Sequence, residues 1–459
     1  MARVSKVRLE GDRLTDLINI GVLTTRVPLE KVRQVLEETG RASRRVRDLP
    51  AHVMVYYIIA MALYRPEGMR EVLRVLLEGL QTVLGLGLRL KPAGKSGISQ
   101  ARSRLGVEPL KRLYETVAGP IATPETRGAF YRRWQVVAMD GFTLEVPDTD
   151  ANLQAFGRPV SPSGGESAYP LIRGVALGEV GTHVLFGAAL GSYATGEITL
   201  AREVVRHLRA GMLCLADRCF PGYPLWKQAL ESGADLVWRV RGRIHFPVEQ
   251  SLPDGSYLSQ LRPPRQKGGS QEEPIPVRVI EYRVRGRDGK DEVVRLITSI
   301  LGWEAAPAVE LAQLYHERWE FETTLDEFKT HLRGARTVLR SQTPELVKQE
   351  VYGLLLAHFA LRGLMHEAAL CAGRDPDRIS FVHTVRVVRR TLPRFAASPP
   401  LPVEAATRRG HRGDPRGRRR SSATPRSRAR SEAKTEQLSG PTSESEIQES
   451  SASHRAGDI

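Results

Sequence analysis

Through the first quarter of the chain, apolar residues recur at spacings of three and four. Leu14, Leu17 and Ile18 form one such stretch. Leu29, Val32, Val35 and Leu36 form the next, with turns near Gly21 and Gly40. Val53 to Leu63 is almost wholly apolar and stops before Pro66, and Met69, Val72, Leu73, Leu76 and Leu77 resume the helical period. A glycine-rich break (Gly85, Gly87, Gly94, Gly97) precedes SQARSRLG, residues 99–106, where Ser99 has the side chain of an N-cap. Residues 12–118 are therefore predicted all-helical, within an N-terminal domain spanning 1–120.

From Trp134 the pattern changes to short apolar or alternating runs. WQVVAMDG (134–141) predicts a buried strand ending at Asp140 and Gly141, with FTLEVPDT (142–149) as its hairpin partner. LIRGVALGEV (171–180) and THVLFGAALG (182–191) predict an antiparallel pair turning at Val180–Gly181. A helix over 196–210 follows, then the strand LCLADRCF running into Asp217, a helix over 223–232 and the strand ADLVWRV. Strands first in hairpins and then alternating with helices describe an α/β core, assigned to 130–239 and 301–395. Between these halves, 240–300 is rich in Pro, Gly, Arg and β-branched residues. It predicts a β-rich insertion with a hairpin turn at Asp288–Gly289.

YHERWEFETTLDEFKTHL, residues 315–332, predicts one long helix bounded by Pro307 and Gly334. With Tyr315 at zero and about 100° per residue, Arg318, Glu322 and Lys329 fall within about 60° of it. Leu314, Phe321, Leu325, Phe328 and Leu332 gather at about 220–280°. A polar stripe thus runs along the rim of a buried one. A capped apolar helix over 343–370 and a basic helix over 380–392 complete the core. Beyond 398 the chain is rich in Pro, Arg, Ser and Glu, carries ten arginines from Arg408 to Arg430, and predicts a disordered basic tail over 398–459.

Composition sharpens this picture. A chain of 459 residues holds two or three domains, and 41% hydrophobic with 26% charged residues is a soluble globular balance. The net charge of +16 and pI near 10 point to a polyanionic partner. Residues 401–459 hold 12 basic against 8 acidic residues, so +12 of the +16 lies on residues 1–400. The first 115 residues alone hold 21 basic against 12 acidic, or +9. Arg44, Arg45 and Arg47, and again Lys95, Arg102 and Arg104, cluster there. Each alone is a solvated charge, but together with helix ends they suit a DNA-backbone-binding module. Cys214, Cys219 and Cys371 form no CxxC pair, so reduced thiols and no cysteine zinc site are expected. The start, MARVSKVRLEG, has no signal-peptide core, and the Val53–Leu63 run is too short to span a bilayer. No membrane contact is expected, and the location expected is cytoplasmic, at the nucleoid.

Asp140 and Asp217 each stand at the C-terminal end of a predicted strand, where α/β folds place their sites. Alone, each is an ordinary turn aspartate, and Glu322 alone is a surface ion-pair residue. In the order Asp140, Asp217, Glu322, beside Tyr315, Arg318 and Lys329, they read as three carboxylates converging on a pair of hard cations. Mg²⁺ suits such a site, with Mn²⁺ able to substitute. Two such ions drive in-line displacement at phosphorus.

On these residues the chain resembles a DDE transposase of the insertion-sequence-four type, whose core is similar to ribonuclease H. VVAMDGFTLEVPDT, LCLADRCFPGY and the Y-x2-R-x3-E-x6-K spacing of Tyr315, Arg318, Glu322 and Lys329 carry the resemblance. SQARSRLG and SQTPELVKQEVYGLLL add to it, over roughly residues 10–395. The resemblance implies that Asp140, Asp217 and Glu322 bind the catalytic metals and that Tyr315, Arg318 and Lys329 hold DNA near the transposon end. It implies cut-and-paste transposition through hairpinned ends with a flipped base, acting on double-stranded DNA, both terminal inverted repeats and target. Pairing two ends implies a homodimer in the active complex. Trp238 and Trp303 are the candidates for an aromatic wedge, with core burial the simpler reading of both. Cys219 departs from the small glycine the family more often places after Asp-Arg. The competing reading is a catalytically inactive regulator that only binds DNA ends.

Overall fold

The computed structural model describes residues 25–44, 49–84, 93–160, 167–242, 244–264, 272–285, 291–334 and 337–395. The Leu14–Ile18 stretch, Gly85 and Gly87, Arg45 and Arg47, the Asp288–Gly289 turn and the tail from 398 lie outside them.

Prolines open the first helices. Pro28 and Pro50, with φ of −65° and −70°, precede α1 (Leu29–Glu38) and α2 (Ala51–Leu63), where a missing N–H costs nothing. α3 (Met69–Leu84), α4 (Lys95–Leu105) and α5 (Glu108–Val117) follow. Every residue of α2 from Val53 to Leu63 is buried. That helix lies at the centre of the helical layer, so its composition is apolar on all sides. α4 begins directly after Gly94, which places Ser99 inside the helix and not at its N-cap. The glycine supplies the break that the serine was expected to mark.

β1 (Phe130–Tyr131) and β2 (Trp134–Glu145) open the sheet. After α6 (Asp150–Phe156) come β3 (Leu171–Glu179), β4 (Leu185–Ser192), α7 (Glu197–Val204), β5 (Met212–Ala216), α8 (Tyr223–Leu230) and β6 (Asp235–Val240). The order β4-β3-β2-β5-β6, antiparallel up to β2 and parallel from β2 to β6, is that of a ribonuclease H core. β2 does not end at Gly141. It runs on unbroken to Glu145, so FTLEVPDT continues the strand, and the antiparallel partner is β3, with Asp140 opposite Ala176. Gly141 serves close approach instead of a turn: a Cβ there would lie 2.9 Å from Glu197 Oε1 of α7.

The 240–300 segment forms β7 (Gln250–Ser251), β8 (Tyr257–Leu261), β9 (Ile275–Arg285) and β10 (Asp291–Thr298). β10 pairs antiparallel with β6, so these strands extend the same sheet. The expected single helix over 315–332 is divided. α9 (Ala308–His316) and α10 (Arg318–Asp326) meet at Glu317, and a π-helical turn, Glu327–Leu332, completes the run before Gly334 at φ 101°. At the junction Glu317 N–H and Glu320 N–H bond three residues back, which breaks the four-residue ladder. Extrapolating a wheel from Tyr315 to Lys329 therefore overstates how closely the two align.

α11 (Pro344–Cys371) and α12 (Phe381–Phe395) close the structure. α11 is long and apolar enough to cross a membrane, yet 72% of its most apolar window is buried inside the protein. It is a core helix, packed between α2 and the sheet. At its crossing with α2, a Cβ on Gly353 would lie 2.6 Å from Ile58 Cγ2 and 3.1 Å from Ile58 O. Gly353→Val is therefore expected to cost about 1–3 kcal/mol by overpacking. Denaturant unfolding checks this, and an unchanged midpoint would mean that the two helices are free to separate.

Buried polar groups fasten the helical layer to α11. Arg102 donates through Nε to Gln349 Oε1 (2.9 Å) and through Nη2 to Ser341 Oγ (2.9 Å). Gln349 returns bonds to the carbonyls of Arg102 (3.0 Å) and Gly106 (2.7 Å). Arg102 is thus a structural tie and leaves the proposed DNA-backbone cluster.

Candidate active site

The register that pairs Met139 with Ala216 in parallel sets Asp140 beside Asp217, where β5 ends and β2 continues. Alternation along β2 places Asp140 on the face of Ala138 and Phe142, the face covered by the π turn through the Phe142–Phe328 edge contact at 5.4 Å. Phe220 N–H bonds Asp217 O at 3.1 Å, closing a turn directly after the strand. Tyr315, buried at the end of α9, donates its hydroxyl to Ala216 O at 3.4 Å and so anchors the helix to the residue before Asp217.

Arg318 occupies the middle of the acidic group. Its Nη1 lies 3.3 Å from Asp140 Oδ2 and its Nη2 donates to Glu322 Oε1 at 2.8 Å, four residues along α10. Burial raises the Asp140 carboxyl above its ordinary range, Asp217 and Glu322 add to the rise, and Gly141 N–H and Arg318 oppose it. Burial disfavours the charge on Arg318, but Tyr315, Asp140, Asp217 and Glu322 outweigh it and hold the guanidinium above its usual value. Burial also raises the Tyr315 phenol. The field here is one that a cation fills, and every carboxylate present offers hard oxygen donors. That donor set fits divalent ions of the Mg²⁺ kind.

The fold thus gathers Asp140, Asp217, Glu322, Arg318 and Tyr315 into one patch. Lys329 lies half-buried on the π turn further along the same run of helix. Trp238 is fully buried, its ring edge-on to Trp226 at 5.1 Å, so it belongs to the core and is unavailable as a wedge. Trp303 is half-buried. The exposed tryptophan is Trp319, 60% accessible and adjacent to Arg318. A signal for it was present: it falls at about 40° on the helical wheel, away from the apolar stripe.

A family profile described as "Transposase DDE domain" matches residues 133–360. With the ribonuclease H order of the sheet, it makes this chain a DDE transposase, a metal-dependent enzyme that cleaves DNA. A second profile, "Insertion element 4 transposase N-terminal", matches residues 17–115. The chain belongs to the insertion-element-four type of DDE transposase, and its activity is DNA transposition. It is 29% identical over 377 residues to transposase InsG for insertion sequence element IS4 of Escherichia coli K12, across 79% of this chain and 80% of that protein. It is 24% identical over 212 residues to the putative transposase InsZ of the same organism, across 46% and 68%. The cryo-EM structure of a piggyBac transposase synaptic complex with hairpin DNA aligns at TM-score 0.43 and 13% identity, over 84% of this chain and 83% of that chain.

Proposed function

We propose that this chain binds the terminal inverted repeats of its element, cuts at their ends and joins the freed 3′-hydroxyls to target DNA. The observation that carries this reading is the meeting of Asp140, Asp217 and Glu322 around one guanidinium. Those three carboxylates would hold two Mg²⁺ ions, or Mn²⁺ in their place. When bound, such ions activate the attacking oxygen and stabilise the leaving one. Residues 1–120 serve as the DNA-binding domain, 130–239 with 301–395 as the catalytic core and 240–300 as the insertion. Two copies pair two ends, in the cytoplasm at the nucleoid.

Arg318 is in place to exchange its carboxylate partners for a backbone phosphate, which its fork matches with two hydrogen bonds. Lys329 adds a point charge further along the strand. Tyr315 contributes by fixing the end of α9 against Ala216, which sets where Arg318 and Asp217 stand. Trp319 offers an exposed ring on which a base beside the cleavage point can stack.

Arg318→Ala is expected to weaken end complexes and to lower the salt slope of binding by about one. An unchanged slope would confine Arg318 to contacts within the protein. The reading as a whole is tested with DNA carrying the element's terminal repeats and Mg²⁺. Joined products are the expected result. Tight end binding with uncut DNA would favour an end-binding regulator instead.

A further inference from the structure

Behind α10, on the side away from Glu322, lies a second group of potential ligands. His183, in the turn between β3 and β4, is 2% exposed and has a left-handed backbone at φ 58°. Its Nε2 lies 3.3 Å from Glu320 Oε2 and 3.2 Å from Asp377 Oδ1. Buried Nε2 makes no well-aligned hydrogen bond to either oxygen, yet both lie within ion-pair reach. Burial disfavours the imidazole charge, but Glu320 and Glu327 outweigh it and hold the ring above its ordinary value. The ligand atoms of His183, Glu320 and Asp377 all lie within 4.8 Å of one another, the one such group among the described residues. Glu320 and Asp377 are 39% and 38% exposed, so the group opens to solvent on the carboxylate side.

We propose that His183, Glu320 and Asp377 form a divalent-cation site, separate from the Asp140–Asp217–Glu322 group and suited to a transition metal such as Zn²⁺. The spacing fits. Ligand bonds of about 2.0–2.1 Å in a tetrahedron put neighbouring ligand atoms roughly 3.3 Å apart, and the two nitrogen–oxygen distances are 3.2 and 3.3 Å. The donor set fits as well, because imidazole with carboxylate suits zinc and its neighbours, whereas oxygen alone suits Mg²⁺. The charge also matches. Arg362 is matched by Glu327, through Nε to Oε2 at 2.8 Å and through Nη2 to Oε1. Once an incoming ion has displaced the Nε2 proton to solvent, neutral His183 with Glu320 and Asp377 leaves a local charge of −2.

For Nε2 to ligate, the remaining ring proton sits on Nδ1. Arg362 Nη2 stands 2.5 Å from that nitrogen, and Glu327 Oε1 lies 3.7 Å from it. Metal uptake therefore moves Nη2 aside and gives Nδ1–H to Glu327, the carboxylate-behind-histidine arrangement that orients ligating imidazoles. Arg362 keeps Glu327 through Nε. An ion there joins α10, the β3–β4 turn and the 3₁₀ turn Pro376–Arg378 after α11. It would brace from behind the helix that carries Glu322. Glu320 and Glu322 are two residues, or about 200°, apart on that helix, so the two sites face opposite ways.

The test uses the full chain, freed of metal by chelation and carrying Asp140→Asn, Asp217→Asn and Glu322→Gln so that the other group cannot contribute. Calorimetric titration with Zn²⁺ is expected to give one equivalent bound. Titration with Co²⁺ is expected to give the intense visible bands of four-coordinate cobalt, displaced by Zn²⁺ and unaffected by excess Mg²⁺. Adding Asp377→Asn or Glu320→Gln, at half-exposed positions that leave the fold intact, should weaken Zn²⁺ at least about 100-fold, since even outer partners are worth 10–100-fold. His183→Gln should do the same where circular dichroism shows the variant folded. Absence of a bound equivalent would overturn the proposal. So would a bound equivalent that both carboxylate variants leave unchanged, or a six-coordinate cobalt spectrum that Mg²⁺ competes away.

Discussion

Glu322→Gln is expected to retain binding to transposon-end DNA and to lose cleavage by on the order of 1,000-fold. The amide keeps the volume and can still reach Arg318, which also retains Asp140 at 3.3 Å, so the local fold has no reason to change. The charge is lost where the proposed mechanism needs cations held. Stabilisation of several kcal/mol by bound ions, at 1.36 kcal/mol per tenfold, sets that scale. Cleavage rates and gel-shift affinities on the same terminal-repeat DNA separate the two effects. Cleavage within about tenfold of the parent would remove Glu322 from the proposed site.

The largest effect on stability is expected at Glu350. It is buried on α11 and accepts from Arg65, from Ser341 Oγ at 2.6 Å and from the N–H groups of Arg340 and Ser341 at 3.1 Å. Glu350→Gln strands a buried guanidinium and should cost about 3–5 kcal/mol at neutral pH. Acid reveals the same interaction. Burial opposes the Glu350 charge, but Arg65, Ser341, Arg102 and the Arg340 N–H outweigh it and hold the carboxyl below its ordinary value. A folded pKa below the unfolded one gives stability that is full above the unfolded pKa, about 4.3, and fades as pH falls through the folded value. The stability gap between parent and variant, measured in denaturant, should therefore narrow in acid. A gap as wide in acid as at pH 7 would show that the loss comes from packing and not from charge.

The strand aspartates were legible because their neighbours are unmistakable: Val136 to Met139 and Met212 to Ala216 are apolar runs fit only for a buried sheet. The Pro344–Cys371 helix was legible for the same reason. Gly141 misled, because glycine marks a turn in most contexts and here admits Glu197 from a helix more than 50 residues on. The division at Glu317 has no glycine or proline to announce it. It arises where Tyr315 is tied to Ala216 and Arg318 to Asp140, contacts made only in the folded sheet. Arg102 looked like a phosphate contact because clustered arginines give no hint of which one is buried. The group of His183, Glu320 and Asp377 spans nearly 200 residues of sequence and has no motif spacing, so it emerges only from the topology.

The position of Arg318 bears on the order in which the enzyme is armed. A guanidinium held by Asp140 and Glu322 competes with any cation that would bind those oxygens. If a DNA phosphate draws Arg318 away, the same event releases the carboxylates for metal. By thermodynamic reciprocity, metal then strengthens DNA binding by the factor that DNA strengthens metal binding. On the proposed reading, the arginine would act as a tethered counterion, one that biases the centre to load metal only when DNA has arrived.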